Sequence, residues 1–348
     1  MERRKASAVW KLLVSVLFFA LIFRMVRGPE FLAMVHQIRL RYVVLSLVVS
    51  GAMIAVSCLK WFLLVRQQEG SISYFRLLRL YFIGYYFSAL LPSTVGGDVV
   101  RSFYAGRDMS SQSGAAVTVL VERLTGLVLL LLLVLFAPLL VPGLYGKPAF
   151  FIPSIGAAGV LVTLLVLLRL RQPLKRAIDA FEAADARATK GPGRSLAGRL
   201  GALLTRLREA TLRFHQKLTI ALRVLRDTPR LLVPVAGLTV LFYMLTWLNV
   251  YVAFLAFDVD PSLRSVIAVV PTSMIVSMIP IAPMASLGLA EGAYVYYFSL
   301  VGVPGAASLA MGLLIRGKLL LIGLIGLVCH LTLGDRVEDD VGFREEQA

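Results

Sequence analysis

Six charged side chains inside or beside apolar segments are the residues of this chain best suited to chemistry. They are Asp98, Arg101, Glu122, Arg123, Glu291 and Arg316. A guanidinium group holds a phosphate in a bidentate geometry, and a carboxylate beside it balances the charge when no ligand is bound, or accepts a proton. A charge at the centre of a membrane span costs roughly 2.5 to 3.5 kcal/mol. Contact with a ligand, a structural ion pair and snorkelling to the membrane surface all fit the pattern.

Two breaks in the apolar sequence accompany these charges. The breaks contain Pro92, Gly96 and Gly97 in residues 91–101, and Pro283 and Gly288 in residues 279–292. Irregular backbone at membrane depth persists only where protein or a water-filled cavity surrounds it. Glycine lets the backbone approach a ligand closely, and the N-terminus of the helix that follows exposes N–H groups to an anion. We therefore predict that both breaks border a substrate-binding site.

The two breaks belong to an internal repeat. Asp98 precedes Arg123 by the same 25 residues that separate Glu291 from Arg316, and a Gly-Ala-Ala run begins the following apolar segment in both copies, at 114–116 and 305–307. Broken apolar segments at matching positions of two inverted halves are typical of a transporter substrate site. The predicted halves are 9–141 and 149–332. We expect Arg101, Arg123 and Arg316 to converge in one polar cavity bounded by residues 92–98 and 283–291.

The composition requires that these residues be positioned in a membrane. The chain has 348 residues, is 58% hydrophobic and has a mean hydropathy of +0.82, values that exclude an ordinary soluble protein. Apolar segments near 20 residues suit helices that cross roughly 30 Å of hydrocarbon. We predict an all-α, polytopic membrane helix bundle in a single membrane domain, with about six full spans and two re-entrant broken-helix hairpins. The spans are 9–23, 42–65, 115–141, 149–170, 231–257 and 306–331, and the hairpins fall within 74–116 and 266–303.

Charge asymmetry sets the orientation of this bundle. Basic residues dominate the segment 171–230, within a chain whose formal net charge is +16, and such segments stay in the cytoplasm. The N-terminus and the charged tail 333–348 then also lie in the cytoplasm, so the chain would be a multi-pass protein of the plasma (inner) membrane. The two hairpins would enter from opposite faces. The N-terminal segment lacks the small-residue cleavage site of a signal peptide, so we interpret it as an uncleaved first span.

The basic insertion 171–230 contains apolar residues three or four positions apart from Leu196 to Leu225, the pattern of an amphipathic helix. Two interpretations of this predicted helix stay open. In the first it lies on anionic headgroups, and in the second it forms a helical hairpin that packs on itself or on a partner. No aromatic interleaving or known motif supports nucleic-acid binding.

At these motifs the chain resembles the transmembrane region of lysylphosphatidylglycerol synthases and its stand-alone, flippase-like relatives. The resemblance rests on 91–98 with Arg101, on 122–127, on 283–288 with Glu291, and on Arg316, and it covers nearly the whole chain. It implies a bundle with re-entrant elements that moves lipids or lipid-linked groups between leaflets. Such relatives differ in their lipids, which include aminoacylated phospholipids, polyprenyl-linked sugars and hopanoid-related lipids. Because the sequence ends at Ala348 without a soluble aminoacyl-transferring domain, we do not expect lysyl transfer.

Lipid translocation is accordingly the leading functional prediction, with an anionic phospholipid or a polyprenyl-linked group as substrate and no cofactor or metal. Two alternatives stay open. In the first, the chain is a membrane enzyme that modifies lipid headgroups, although His36, His215 and His330 have no evident Ser, Cys or metal-ligand partners. In the second, it is a scaffold that recruits a soluble lipid-synthesis enzyme through 171–230. The lipid, the direction, the energy source and the oligomeric state are left open by the sequence.

Overall fold

The structure, a computed structural model, describes residues 36–67, 72–90, 96–169, 229–278 and 288–345. Within these ranges the chain is all-helical, which confirms the predicted all-α membrane class. The predicted first span 9–23, nearly all of the basic insertion 171–230, the end of the tail, Pro92 and Pro283 lie outside the described residues.

Nine α-helices and two short 3₁₀ turns, Ala137–Leu140 and Leu144–Gly146, make up the described part. The helices are α1 (Leu40–Arg66), α2 (Tyr74–Leu90), α3 (Gly96–Asp108), α4 (Gln112–Phe136), α5 (Pro148–Arg169), α6 (Pro229–Leu255), α7 (Leu263–Ser277), α8 (Leu289–Ser299) and α9 (Gly305–Glu345). Five of them, α1, α4, α5, α6 and α9, are long and apolar enough to cross a membrane. They correspond to five of the six predicted spans.

Helices α2 and α3 form a hairpin whose two ends lie at the same end of the bundle. Arg76 at the start of α2 forms an ion pair with Asp108 at the end of α3, with 2.9 Å between Nε and Oδ2. The arms have 17 and 13 residues, roughly 25 and 20 Å at the helical rise, so both are shorter than a full crossing of roughly 30 Å. We call this end of the bundle, where α5 ends and α6 begins, the basic end.

Helices α7 and α8 form a second hairpin at the opposite end, with arms of 15 and 11 residues. Lys147, just before α5, donates a hydrogen bond from Nζ to the carbonyl of Leu300, just after α8, at 2.7 Å. Arg39, just before α1, pairs with Asp258, just after α6, at 2.7 Å. The second hairpin therefore enters from the end opposite to the first.

The helices of the two sets α1–α4 and α6–α9 follow the same order and pack in the same pairs. The arms of each hairpin pack on each other, the second arm packs on the following long helix, and α1 packs along α6 between the sets. The exact division into halves 9–141 and 149–332 stays a prediction, because residues 9–35 are not among those described.

Large apolar side chains cover the outside of the bundle, as expected where the solvent is lipid. Leu139, Ile152 and Val233 are among the most exposed, whereas Trp61 and Phe254 are fully buried in separate core clusters. The described core thus combines aliphatic side chains with aromatic and polar ones, and the exposed surface is mainly aliphatic with some aromatic rings, such as those of Phe75 and Phe136.

Candidate functional site

A cavity of about 290 Å³ lies between α1, α2, α3, α4, α6 and α7. Its charged lining consists of Lys60, Asp98, Arg101, Glu122 and Arg123, and its apolar lining includes Leu124, Leu127, Leu130, Phe242 and Met274. Asp98 lies in the first turn of α3, at the deep end of the first hairpin. The cavity therefore reaches into the interior of the bundle and combines a polar wall with an apolar one.

Asp98 is the acceptor at the centre of the polar wall. Arg123 approaches it in a bidentate geometry, with Nη2 2.8 Å from Oδ1 and Nε 2.8 Å from Oδ2. Arg101 donates from Nε to Oδ1 at 3.0 Å. The partial positive charge at a helix N-terminus favours an acid at this position, and the hairpin break places the N-terminus of α3 inside the bundle. One carboxylate thus holds two arginines together.

Arg101 is held on several sides. Its side chain is 2% exposed, its Nη1 lies 2.9 Å from Oε2 of Glu122, and its guanidinium carbon lies 4.7 and 4.4 Å from the ring centroids of Trp61 and Tyr81. Tyr81 donates its hydroxyl hydrogen to Oε1 of Glu122. Stacking on aromatic rings adds to the ion pairs and fixes the plane of the guanidinium. The structure therefore places Arg101 and Glu122 in a buried, ordered ion pair.

Arg123 differs from Arg101 in its exposure. The side chain of Arg123 is 59% exposed, although it forms the bidentate ion pair with Asp98 described above. A guanidinium has five N–H donors, so a bidentate carboxylate leaves donors over for a second acceptor. Arg123 is therefore the cavity arginine most accessible to an entering anion.

Lys60 is the third cation of the cavity lining, and the sequence analysis did not single it out. Its Nζ donates to the carbonyl oxygen of Glu122 at 3.2 Å and lies 3.5 Å from Oγ1 of Thr239, and it forms no ion pair among the described residues. The described lining therefore has three cationic and two anionic side chains, a surplus of one positive charge. The signal was present in the sequence, since Lys60 is a charge inside the span 42–65. Tyr81 gave no signal, because its role comes from contacts between helices.

Glu291 and Arg316 form the second acid–arginine pair. Arg316 donates from Nε to Oε1 of Glu291 at 2.6 Å and from Nη2 to Oε2 at 3.3 Å. The backbone N–H of Gly288 donates to Oε2 of Glu291 at 2.9 Å, so the carboxylate caps an N–H group at the start of α8. Gly288 has a φ of 85°, a conformation that favours glycine. In both copies, the acid and the arginine that lie 25 residues apart in the sequence thus contact each other. In both, the acid lies in the first turn of the second hairpin arm.

The structure brings together four of the six predicted charged site residues, and the other two form a pair of their own. Asp98, Arg101, Glu122 and Arg123 line the cavity, whereas Glu291 and Arg316 are not among its described lining residues. The convergence of Arg316 with the other arginines stays a prediction, since residues 91–95 and 279–287, which contain Pro92 and Pro283, are not described.

The predicted break glycines have separate roles in the first hairpin. Gly96 begins α3, and Gly97 packs so closely on α2 that an added Cβ would lie 2.0 Å from the carbonyl oxygen of Gly84. Gly97 thus serves helix packing, one of the reasons a glycine is needed at such a break.

Comparison with known proteins agrees with this architecture. The family model described as the lysylphosphatidylglycerol synthase TM region matches residues 8–326. The chain is also 24% identical, over 278 residues, to a UPF0104 membrane protein of Methanothermobacter thermautotrophicus, with 77% of this chain and 78% of that protein covered. No solved structure matches the chain. Because the match extends over most of its length and includes both hairpins and both acid–arginine pairs, the chain belongs to the lysylphosphatidylglycerol synthase TM region family.

Proposed function

We propose that this chain moves an anionic lipid, either a phospholipid or a polyprenyl-linked group, between the two leaflets of the membrane. The observation that carries the proposal is a cavity inside an apolar bundle with a surplus of one positive charge on its polar wall. An uncompensated cation at membrane depth is costly unless an anion joins it during function. Under this proposal the chain is a transporter rather than an enzyme.

The polar wall suits a phosphate. Arg123 has donors left over after it binds Asp98, and Lys60 has no carboxylate partner among the described residues. A phosphate between these two cations would receive a directional guanidinium contact and the point charge of an ammonium. Arg101, stacked on Trp61 and paired with Glu122, keeps the wall ordered while the cavity is empty.

The apolar wall suits the hydrocarbon part of the same molecule. Leu124, Leu127 and Leu130 follow Arg123 along α4, and Phe242 and Met274 contribute from α6 and α7. A ligand with a charged head and an apolar chain matches such an amphipathic cavity, whereas a small water-soluble anion would leave half of the wall unused. This favours a lipid over a free phosphate.

The two hairpins supply the means of movement. They enter from opposite ends of the bundle, and in transporters built from inverted repeats one repeat rocks or gates against the other around a fixed binding site. We assign the basic end to the cytoplasm by the positive-inside rule, and we place the chain in the plasma membrane as part of the same proposal. A lipid-synthesis enzyme at that end, delivering substrate, would fit the basic insertion 171–230.

Transbilayer movement in proteoliposomes tests the proposal. Fluorescent phosphatidylglycerol, phosphatidylcholine and polyprenyl phosphate would be assayed separately by quenching of the outer leaflet. We expect faster movement of at least one anionic lipid than of the zwitterionic one, and a loss of about 10-fold or more in Lys60→Met or Arg123→Met, since a charge-assisted contact contributes about 1.5 to 3 kcal/mol.

Arg39→Gln is the matched control, since Arg39 also pairs with an acid but at the exposed surface of the bundle. It should leave the rate unchanged. If each lipid, anionic or zwitterionic, moves at the same rate with the protein as without it, lipid translocation is refuted. Unchanged transport in both cavity variants would refute the role of the cavity.

A further inference from the structure

A second polar cluster lies where α1, α6 and α9 meet. Lys318 is its cation, 3% exposed, and its Nζ donates to Oδ1 of Asn249 at 2.6 Å, to the carbonyl oxygen of Ser46 at 3.4 Å and to the hydroxyl of Ser46. None of these residues is among the described lining of the cavity. The proposed lipid site therefore does not account for this cluster.

Lys318 forms no ion pair with any acid of the described residues. On the helices that pack most closely on α9, which are α1, α2, α6 and α8, the one carboxylate is Glu291, and it is occupied by Arg316. The remaining charged groups of those helices are cationic, namely Arg41, Lys60, Arg66, Arg76, Arg79 and Arg230. An ammonium buried among neutral oxygens carries a penalty of several kcal/mol. No ion pair among the described residues therefore explains why a lysine is buried at this position.

The hydrogen bonds of the cluster suit two states of the amine. An ammonium has three donors and no acceptor, and three oxygens surround Nζ. The hydroxyl of Ser46 meanwhile donates to Oδ1 of Asn249 at 2.8 Å. If the amine loses a proton, its lone pair needs a donor, and rotation of the same hydroxyl supplies one. Both states of Lys318 are thus satisfied without movement of a helix.

We propose that Lys318 is a proton-exchange site, at which Lys318–NH₃⁺ transfers a proton to water and leaves Lys318–NH₂ and H₃O⁺, and which regains the proton in the reverse step. Water reaches the amine when α9 separates locally from α1 or α6, an opening that needs no lipid substrate. Lys318 follows Arg316 by two residues, so the two side chains lie on different faces of α9, and the proton would act on the transport cycle through the packing of α9 on α1 and α6. Its role in coupling proton movement to lipid movement rests on the proposed function, whereas proton exchange itself does not.

Nitrogen NMR of the ¹⁵N-lysine-labelled protein in lipid nanodiscs tests the exchange directly. The Lys318 signal would be assigned by its loss in Lys318→Arg and independently in Lys318→Gln. We expect this signal to change from that of an ammonium to that of an amine as the pH is raised from about 6 to about 9. Asn249→Asp supplies a counter-charge and should hold Lys318 as an ammonium throughout. An ammonium signal for wild-type Lys318 over the whole range would overturn the proposal.

Proteoliposomes with a pH difference across the membrane test the coupling. We expect the initial rate of phosphatidylglycerol movement to change by about fivefold when the gradient is reversed, and expect no such change in Lys318→Gln. A gradient effect of the same size in Lys318→Gln would overturn the coupling role. If the wild-type protein moves no lipid, the proposed function fails, and the NMR titration still decides whether Lys318 exchanges a proton.

Discussion

Glu122→Gln is the substitution that best tests the electrostatic description of the cavity. The change keeps the shape of the side chain and an oxygen for the Tyr81 hydroxyl, but it removes the negative charge that lies 2.9 Å from Arg101. Arg101 keeps its contacts with Asp98. The surplus positive charge of the described lining rises from one to two.

The expected loss of stability follows from these contacts. Removal of one partner from a buried ion pair costs about 3 to 5 kcal/mol when the other charge is left without compensation. Because Asp98 still compensates Arg101, we expect about half of this, roughly 2 kcal/mol. With an unfolding entropy of about 2.1 cal/mol/K per residue, a chain of 348 residues loses about 1.4 °C per kcal/mol, so the unfolding temperature should fall by roughly 3 °C.

A double-mutant cycle with Arg101→Gln isolates the pair, with unfolding followed in nanodiscs by intrinsic fluorescence. We expect a coupling free energy of at least about 1 kcal/mol between Arg101 and Glu122. The surface pair Arg39 and Asp258, carried through the same cycle, should give about 0 to 1 kcal/mol, since both side chains are largely exposed. If the buried pair couples no more strongly than the surface pair, the ion pair that we assign to the cavity wall does not contribute to its order.

The remaining predictions concern helix packing and orientation. Gly97→Ala should lower the unfolding temperature by several degrees, because the new Cβ would lie 2.0 Å from a carbonyl oxygen of α2, whereas Gly126→Ala, with nothing within 4 Å, should be neutral or stabilising. Gly326→Ala should be equally destabilising, since its Cβ would also lie 2.0 Å from a carbonyl oxygen of α2, and thermal unfolding against the same Gly126→Ala control measures both. Lys147 lies at the end opposite to the basic end, and Gln67 lies at the basic end. In intact cells, Lys147→Cys should therefore react with a membrane-impermeant maleimide, whereas Gln67→Cys should not. The reverse result would place the basic end outside.

The parts of the fold that depend on local sequence could be predicted, and those that depend on packing between helices could not. Apolar length and the proline and glycine breaks identified five described spans and both hairpins, because these features act within one segment. The spacing repeated in the second copy singled out Asp98 and Arg123, but their direct contact was not predicted, because it depends on how α3 packs on α4. The placement of Lys60 against the carbonyl of Glu122, and of Tyr81 over Arg101, depends on how α1 and α2 pack on α3 and α4, which no single segment specifies.

The two copies of the repeat match in their helices but not in their charges, and this difference bears on mechanism. Both copies carry the acid–arginine pair at the start of the second hairpin arm. At the offset that relates those pairs, the positions of Arg101 and Glu122 are taken by Tyr294 and Ile315, so the second copy has a two-residue pair where the first has a four-residue network. An inverted repeat with equal charges would present equivalent anion sites to both leaflets. The described surplus of positive charge lies beside the first hairpin. We therefore expect an anion to bind more tightly when the cavity opens towards the basic end. Because of this unequal binding, lipid would be loaded preferentially from that end.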